Sequence, residues 1–164
     1  MMNAKIKSIF IALLGFFLIN LVIAAENNKS ARIPKIVTTK VSGNYFEVVQ
    51  SLRSAILGKG INIAHELHAS DMLQRTGPAY GYKKSVYSHA QILEFCSAKL
   101  SQELSRADPD NIVVCPFTIG IYSLVTEPQI VHISYQVPNG KPGSEKVIKE
   151  IEELLASIVE DATW

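Results

Sequence analysis

From Ser144 to Glu160 the chain sets Val147, Ile151, Leu154 and Ile158 in one helical stripe, with Ile148, Leu155 and Val159 beside it. A stripe that wide must be covered by a sheet or a partner. The sequence supplies the sheet. Gln129 to Val137 alternates, with Val131, Ile133 and Tyr135 facing one way and His132, Ser134 and Gln136 the other, so His132 is expected on a solvated face.

The remaining segments fit the same plan. Ile36 to Val41 has the β-branched composition of a strand. Ser42-Gly43-Asn44 breaks it, and Asn44 is placed to cap a helix over Tyr45 to Leu57, with Phe46, Val49, Leu52 and Ile56 inward and Gly58 as its stop. Gly60 to Leu67 reads as a second strand, Ser70 to Arg75 as a short helix, and Gly77 to Lys84 as a loop rich in glycine and tyrosine. Val86 to Phe95 is a strand with His89 among Tyr87, Gln91, Leu93 and Phe95. Ser97 to Ala107 is a helix, and Asn111 to Val125 reads as a bent strand broken by Pro116 and Gly120. Glu127-Pro128 is expected to turn the chain, and Pro138 to Gly143 to link to the last helix. The order predicts an α+β domain over residues 33–164, a single antiparallel or mixed sheet of about five strands with helices on one face.

The N-terminus reads differently. Lys5 and Lys7 precede a run from Ile9 to Ile23 that is apolar except for small residues and Asn20, and Ala24 and Ala25 end it, the layout of a signal peptide over residues 1–25. An uncleaved anchor is the alternative, since Ile9 to Ala25 approaches the shortest span, about 17 residues. Residues 26–32 are polar and unpatterned, a flexible leader. Loss of the two lysines moves the net charge from +1 to −1. Neither value supports nucleic-acid binding. After cleavage no membrane association is expected, and the protein is read as periplasmic or secreted.

Cys96 and Cys115 are the two cysteines. A helix from Ser97 descending at about 1.5 Å per residue and a strand from Asn111 returning at about 3.3 Å per residue bring Cys115 back toward the level of Cys96. Three readings stand: a disulfide, two buried unpaired thiols, or a redox pair with Cys96 activated at a helix N-terminus. His65 and His68, three apart on a strand, point to opposite faces and chelate poorly unless the strand ends between them. No metal site is assigned. His89 is either a hydrogen-bonded core histidine or an axial haem or metal ligand. Tyr80, Tyr82, Lys83, Lys84 and Tyr87 cluster on the loop, where they could cover a ligand. No phosphate loop, Gly-x-Ser-x-Gly elbow, haem-attachment motif or Cys-x-x-Cys occurs in the sequence. No catalytic residue is assigned.

At Gly60-Ile61, along Ile92-Leu93-Glu94-Phe95-Cys96-Ser97-Ala98-Lys99-Leu100, and at Val114-Cys115-Pro116-Phe117 followed by Ile119 and Tyr122, the sequence resembles the domain-of-unknown-function family 302. The similarity covers about Tyr45 to Tyr135. Ser97-Ala98 stands where that family has an Asn-Pro-like turn, and Cys115 precedes Pro116 where the family's cysteine follows its proline. The resemblance implies an α+β fold with an antiparallel sheet, a homodimer and no established catalytic residue. Some exported members look like haem-binding proteins, which directs attention to His89 and the tyrosine loop. The sequence thus leads to an exported small-ligand-binding or interaction domain, with Tyr80, Tyr82, Tyr87 and His89 as ligand-binding candidates and haem as a candidate cofactor. The alternative is a thiol-based redox protein using Cys96 and Cys115.

Overall fold

The computed structural model describes residues 35–163. The signal-peptide and leader segments of the sequence reading lie outside them.

The fold is α+β, one five-stranded antiparallel sheet with helices against it. Strand β1 (Ile36–Ser42) leads through the Asn44 cap, whose Oδ1 accepts from the Phe46 and Glu47 amides at 2.9 and 3.3 Å, into helix α1 (Tyr45–Gly58). After Gly60, with φ of 73°, come β2 (Ile63–Leu67) and α2 (Ala69–Thr76). Strand β3 (Tyr87–Phe95), helix α3 (Ala98–Ala107), strands β4 (Phe117–Leu124) and β5 (Glu127–Gln136), and helix α4 (Glu145–Asp161) complete the chain.

The sheet order is β1-β5-β4-β3-β2, so α1 carries the chain from one edge strand to the other across the sheet. Leu93, Phe95, Phe117, Ile119, Ile121, Val131 and Ile133 form the sheet's contribution to one core. Leu52 and Ile56 of α1, Leu100 and Leu104 of α3, and Ile151, Leu155 and Ile158 of α4 close over them. The wide stripe of α4 is therefore covered within the chain.

Three local expectations are corrected. Asn111 to Val125 is not one bent strand: Pro109–Val114 forms a 3-10 helix and β4 begins only at Phe117. The Asp108 carboxylate accepts from the Asp110 amide at 2.8 Å and starts that turn. The buried Asn111 then holds it, donating to the Leu104 carbonyl at 3.0 Å and Ser144 Oγ at 2.7 Å and accepting from the Lys141 amide at 2.8 Å. Ile112 and Val113, which read as strand residues, are exposed.

On α1 the inward residue is Tyr45, not Phe46, which is 61% exposed. Tyr45 falls in line with Val49, Leu52 and Ile56, and its hydroxyl finds Gln91 Oε1 at 3.3 Å and the Ile121 carbonyl at 3.4 Å. The turn expected at Glu127-Pro128 lies at Val125-Thr126, and Pro128 sits inside β5 beside a register shift, where its missing N–H breaks no ladder bond.

Candidate functional site

A pocket of about 450 Å³ opens between α2 and the segment that joins it to β3. Its wall includes Leu73 and Gln74 from α2, Pro78, Tyr80, Tyr82, Lys83 and Lys84 from the loop, and Val86 and Tyr87 from the start of β3. The local sequence explains the shape. Thr76 Oγ1 donates to the Met72 carbonyl at 2.8 Å as α2 ends, and Pro78 starts a 3-10 turn over Gly77–Tyr80. Gly81 closes that turn with φ of 82°, a conformation that favours glycine. The Tyr82 amide then donates back to the Gly77 carbonyl at 3.0 Å. A Cβ on Gly77 would stand 3.2 Å from the Tyr82 carbonyl oxygen, so the small residue lets the loop fold on itself. Ser85 Oγ donates to the Tyr87 carbonyl at 2.7 Å and accepts its amide at 3.2 Å, fixing the exit.

Tyr80 and Tyr82 are 77% and 72% exposed, and Val86 and Leu73 are exposed as well. The wall is mainly apolar, and no Asp or Glu is among its residues.

His89 does not line this pocket. The register between β3 and β4 slips at Ser88, with Tyr87 opposite Leu124 and His89 opposite Ser123, so Tyr87 and His89 project from opposite faces. The sequence reading placed both on one face, because strict alternation allows no inserted residue. His89 instead stacks on Tyr45 at 4.8 Å and meets Phe46 edge-on at 5.1 Å. Beside it, Gln91 Nε2 and His68 Nδ1 are 2.9 Å apart and Gln91 Oε1 takes the Tyr45 hydroxyl, so a polar chain runs from α1 through β3 to the start of α2. Burial pushes the Tyr45 hydroxyl up to about 12, with the nearby Asp71 carboxylate adding to it.

Neither His89 nor any other histidine is among the residues of the pocket, so a haem there would have no imidazole ligand, and Tyr80, Tyr82 and Tyr87 are the side chains of the wall that could hold its iron. His65 is exposed and opposite Glu94, on the face of the sheet away from the core, whereas His68 follows the end of β2 and turns toward Gln91. No cluster of His, Cys, Asp and Glu suited to a metal ion occurs among the described residues.

His132 corrects another expectation. It is 4% exposed and lies flat against Tyr122, with ring centroids 4.7 Å apart and planes 10° from parallel. Tyr87 meets Tyr122 edge-on at 5.3 Å. An aromatic row thus crosses β3, β4 and β5 on the sheet face opposite α1, α3 and α4, starting at the pocket wall. His132 Nε2 is buried without a hydrogen-bond partner. The sequence carried a signal for this row in Tyr122 and His132, two ring residues that fall opposite each other once the strands pair.

Cys96 and Cys115 form a disulfide, their Cα atoms 5.9 Å apart. It closes the connection carrying α3 and the 3-10 helix, with Cys96 one residue after Phe95 and Cys115 two residues before its partner Phe117, and the two rings meet edge-on at 6.2 Å.

The family model for "Domain of unknown function DUF302" matches residues 37–162. The chain belongs to that family. The match reaches past the Tyr45 to Tyr135 core of the sequence resemblance, taking in β1 from Val37 onward and all of α4. No match is found among curated proteins. Among solved structures, the crystal structure of an uncharacterized conserved DUF302 protein from Bacillus stearothermophilus is similar at a TM-score of 0.64 and 18% identity, covering 77% of this chain and 97% of that one. At that identity the likeness speaks for the fold alone.

Proposed function

We propose that this DUF302 domain is an exported small-ligand-binding protein whose site is the pocket between α2 and β3. The observation that carries the reading is a cavity of about 450 Å³ whose largely apolar wall displays Tyr80, Tyr82 and Val86 to solvent. Pockets of a few hundred cubic ångströms with apolar and aromatic walls are the usual form of small-molecule sites. The two exposed rings of Tyr80 and Tyr82, the half-buried Tyr87 and the aliphatic side chains around one concavity gain burial when a ligand enters. Tyr80, Tyr82 and Tyr87 make the site, and His89 supports the other side of β3.

Titration with the neutral fluorophore phenylnaphthylamine tests this. A single saturable, blue-shifted binding phase is expected, lost in Val86→Asp, a substitution at an exposed position. Absence of saturable binding, or binding indifferent to Val86→Asp, overturns the reading.

Export draws support from the Lys5, Lys7 and Ile9 to Ala25 pattern and from the disulfide, a bond that persists in oxidising compartments. Mass spectrometry of the protein recovered from its native compartment is expected to show a chain beginning after Ala24 or Ala25. Among the described residues no helix is long and apolar enough to cross a membrane. A homodimer is proposed on the sheet face away from α1, α3 and α4, where the half-buried Ile92 and Tyr122 lie. Light scattering is expected to give twice the chain mass.

A further inference from the structure

We infer that the pocket selects an amphipathic anion, an aromatic body carrying one acidic group, with Lys83 and Lys84 holding the acid; this rests on the pocket being a ligand site. The charge pattern of the domain points there. Lys35, Lys59, Lys99, Lys141, Lys146 and Lys149 each pair with a carboxylate. Among the described residues Lys83 and Lys84 pair with none, and neither does Lys40 on the edge strand. Lys83 and Lys84 are adjacent in sequence and both line the pocket, whose wall contains no Asp or Glu to answer them. Two like charges held side by side over an apolar floor attract an anion, and the low-dielectric wall strengthens that attraction over its value in open water.

The body of the ligand follows from the rest of the wall. Tyr80, Tyr82 and Tyr87 contribute three rings to one concavity, and Tyr87 is itself braced edge-on by Tyr122. Aromatic surfaces gain from offset or edge contacts with another ring beyond their buried area, which an alkyl chain does not reproduce. Gln74 and Thr76 add a few hydrogen-bonding groups.

The test uses the full chain and two fluorophores that differ by one sulfonate: neutral phenylnaphthylamine and anilinonaphthalene sulfonate. The sulfonate is expected to bind about tenfold more tightly at low salt, a difference that shrinks as salt screens it. In Lys83→Gln/Lys84→Gln the ratio of sulfonate to neutral affinity, measured on the same variant, is expected to fall to about one. Naphthoate is expected to displace the probe at lower concentration than decanoate. Equal affinity for the two fluorophores, or a sulfonate preference that survives the double substitution, overturns the anion assignment while neutral binding still upholds the pocket. Decanoate competing as well as naphthoate overturns the aromatic assignment. Failure of the neutral probe to bind overturns the underlying site instead.

Discussion

Tyr87 and His89 are two residues apart on β3 yet project from opposite faces of the sheet, because Ser88 is inserted between them where the register with β4 slips. The bulge divides two tasks. Tyr87 is pushed to the pocket and the Tyr122 row, and His89 to the helices, where it stacks on Tyr45. Ser88 Oγ donates to the Leu124 carbonyl at 3.3 Å, tying the bulged residue to the neighbouring strand.

The division predicts separable phenotypes. Tyr87→Ala is expected to weaken phenylnaphthylamine binding about tenfold, with folding retained. His89→Ala is expected to leave that binding unchanged and to lower stability by about 1 kcal/mol, the order of a lost ring stack. Fluorescence titration and urea unfolding on both variants check it. Binding that depends on His89 and not on Tyr87 would reverse the assignment of faces.

Much of the fold is legible in the sequence, for definite reasons. The stripe of α4, the alternation in β5 and the Asn44 cap each rest on spacing within a few residues, and each holds. What was not legible depends on pairing between strands. A bulge shows only against its partner, so alternation carried Tyr87 and His89 onto one face. His132 read as solvated because it alternates with core residues, but Tyr122 of the adjacent strand stacks on it. Ile112 and Val113 read as strand from their β-branched side chains. Hydrogen bonds from Asn111 to Leu104, Lys141 and Ser144, far apart in sequence, override that propensity. The loop tyrosines and lysines were visible as a cluster, whereas Leu73 and Val86, the aliphatic part of the wall, had nothing to mark them.

Asn111 is accordingly a sensitive position. Its amide serves a helix carbonyl, a serine hydroxyl and a backbone N–H, all around a buried side chain. Asn111→Ala is expected to destabilise the domain by about 3 kcal/mol, since unsatisfied buried groups remain. Chemical denaturation measures the loss. A change below the range of ordinary surface substitutions would show that water replaces the side chain without cost.

The disulfide gives a second stability test, and it also bears on a redox role. Cys96 and Cys115 are 19 residues apart, and a closed loop of that length contributes about 3 kcal/mol in the chain-entropy account. Native protein is expected to show no titratable thiol. Cys96→Ala/Cys115→Ala is expected to lower stability by that amount with phenylnaphthylamine binding retained. Thiols that titrate freely in the native state would instead favour thiol chemistry at this pair.

Tyr45 should make the fold sensitive to alkali. Burial first, and the Asp71 charge second, raise its hydroxyl from 10.0 to about 12. The folded state therefore favours the neutral phenol: its contribution is fully present below pH 10 and is lost as the pH rises toward about 12. Tyr135, raised by burial and then by Glu152, adds to the same trend. Tyr45→Phe is expected to cost about 1 kcal/mol at neutral pH through its lost hydrogen bonds and to flatten the alkaline fall, leaving the part due to Tyr135. Unfolding followed across that window, with wild type and variant falling in parallel, would remove Tyr45 as the source.

His132 offers a test with the opposite sign. Its ring is useful to the fold as a flat surface against Tyr122, while its Nε2 is buried with no partner. A polar atom in that position costs free energy that an apolar ring of similar shape would not. His132→Phe keeps a ring over Tyr122 and removes the stranded nitrogen. It is expected to raise stability by about 1 kcal/mol, and His132→Ala, which removes the ring as well, to lower it. The pair separates packing from polarity: if Phe destabilises as much as Ala does, then Nε2 has a partner in solution, and a ligand, a water or a second chain on this sheet face would be the group to look for.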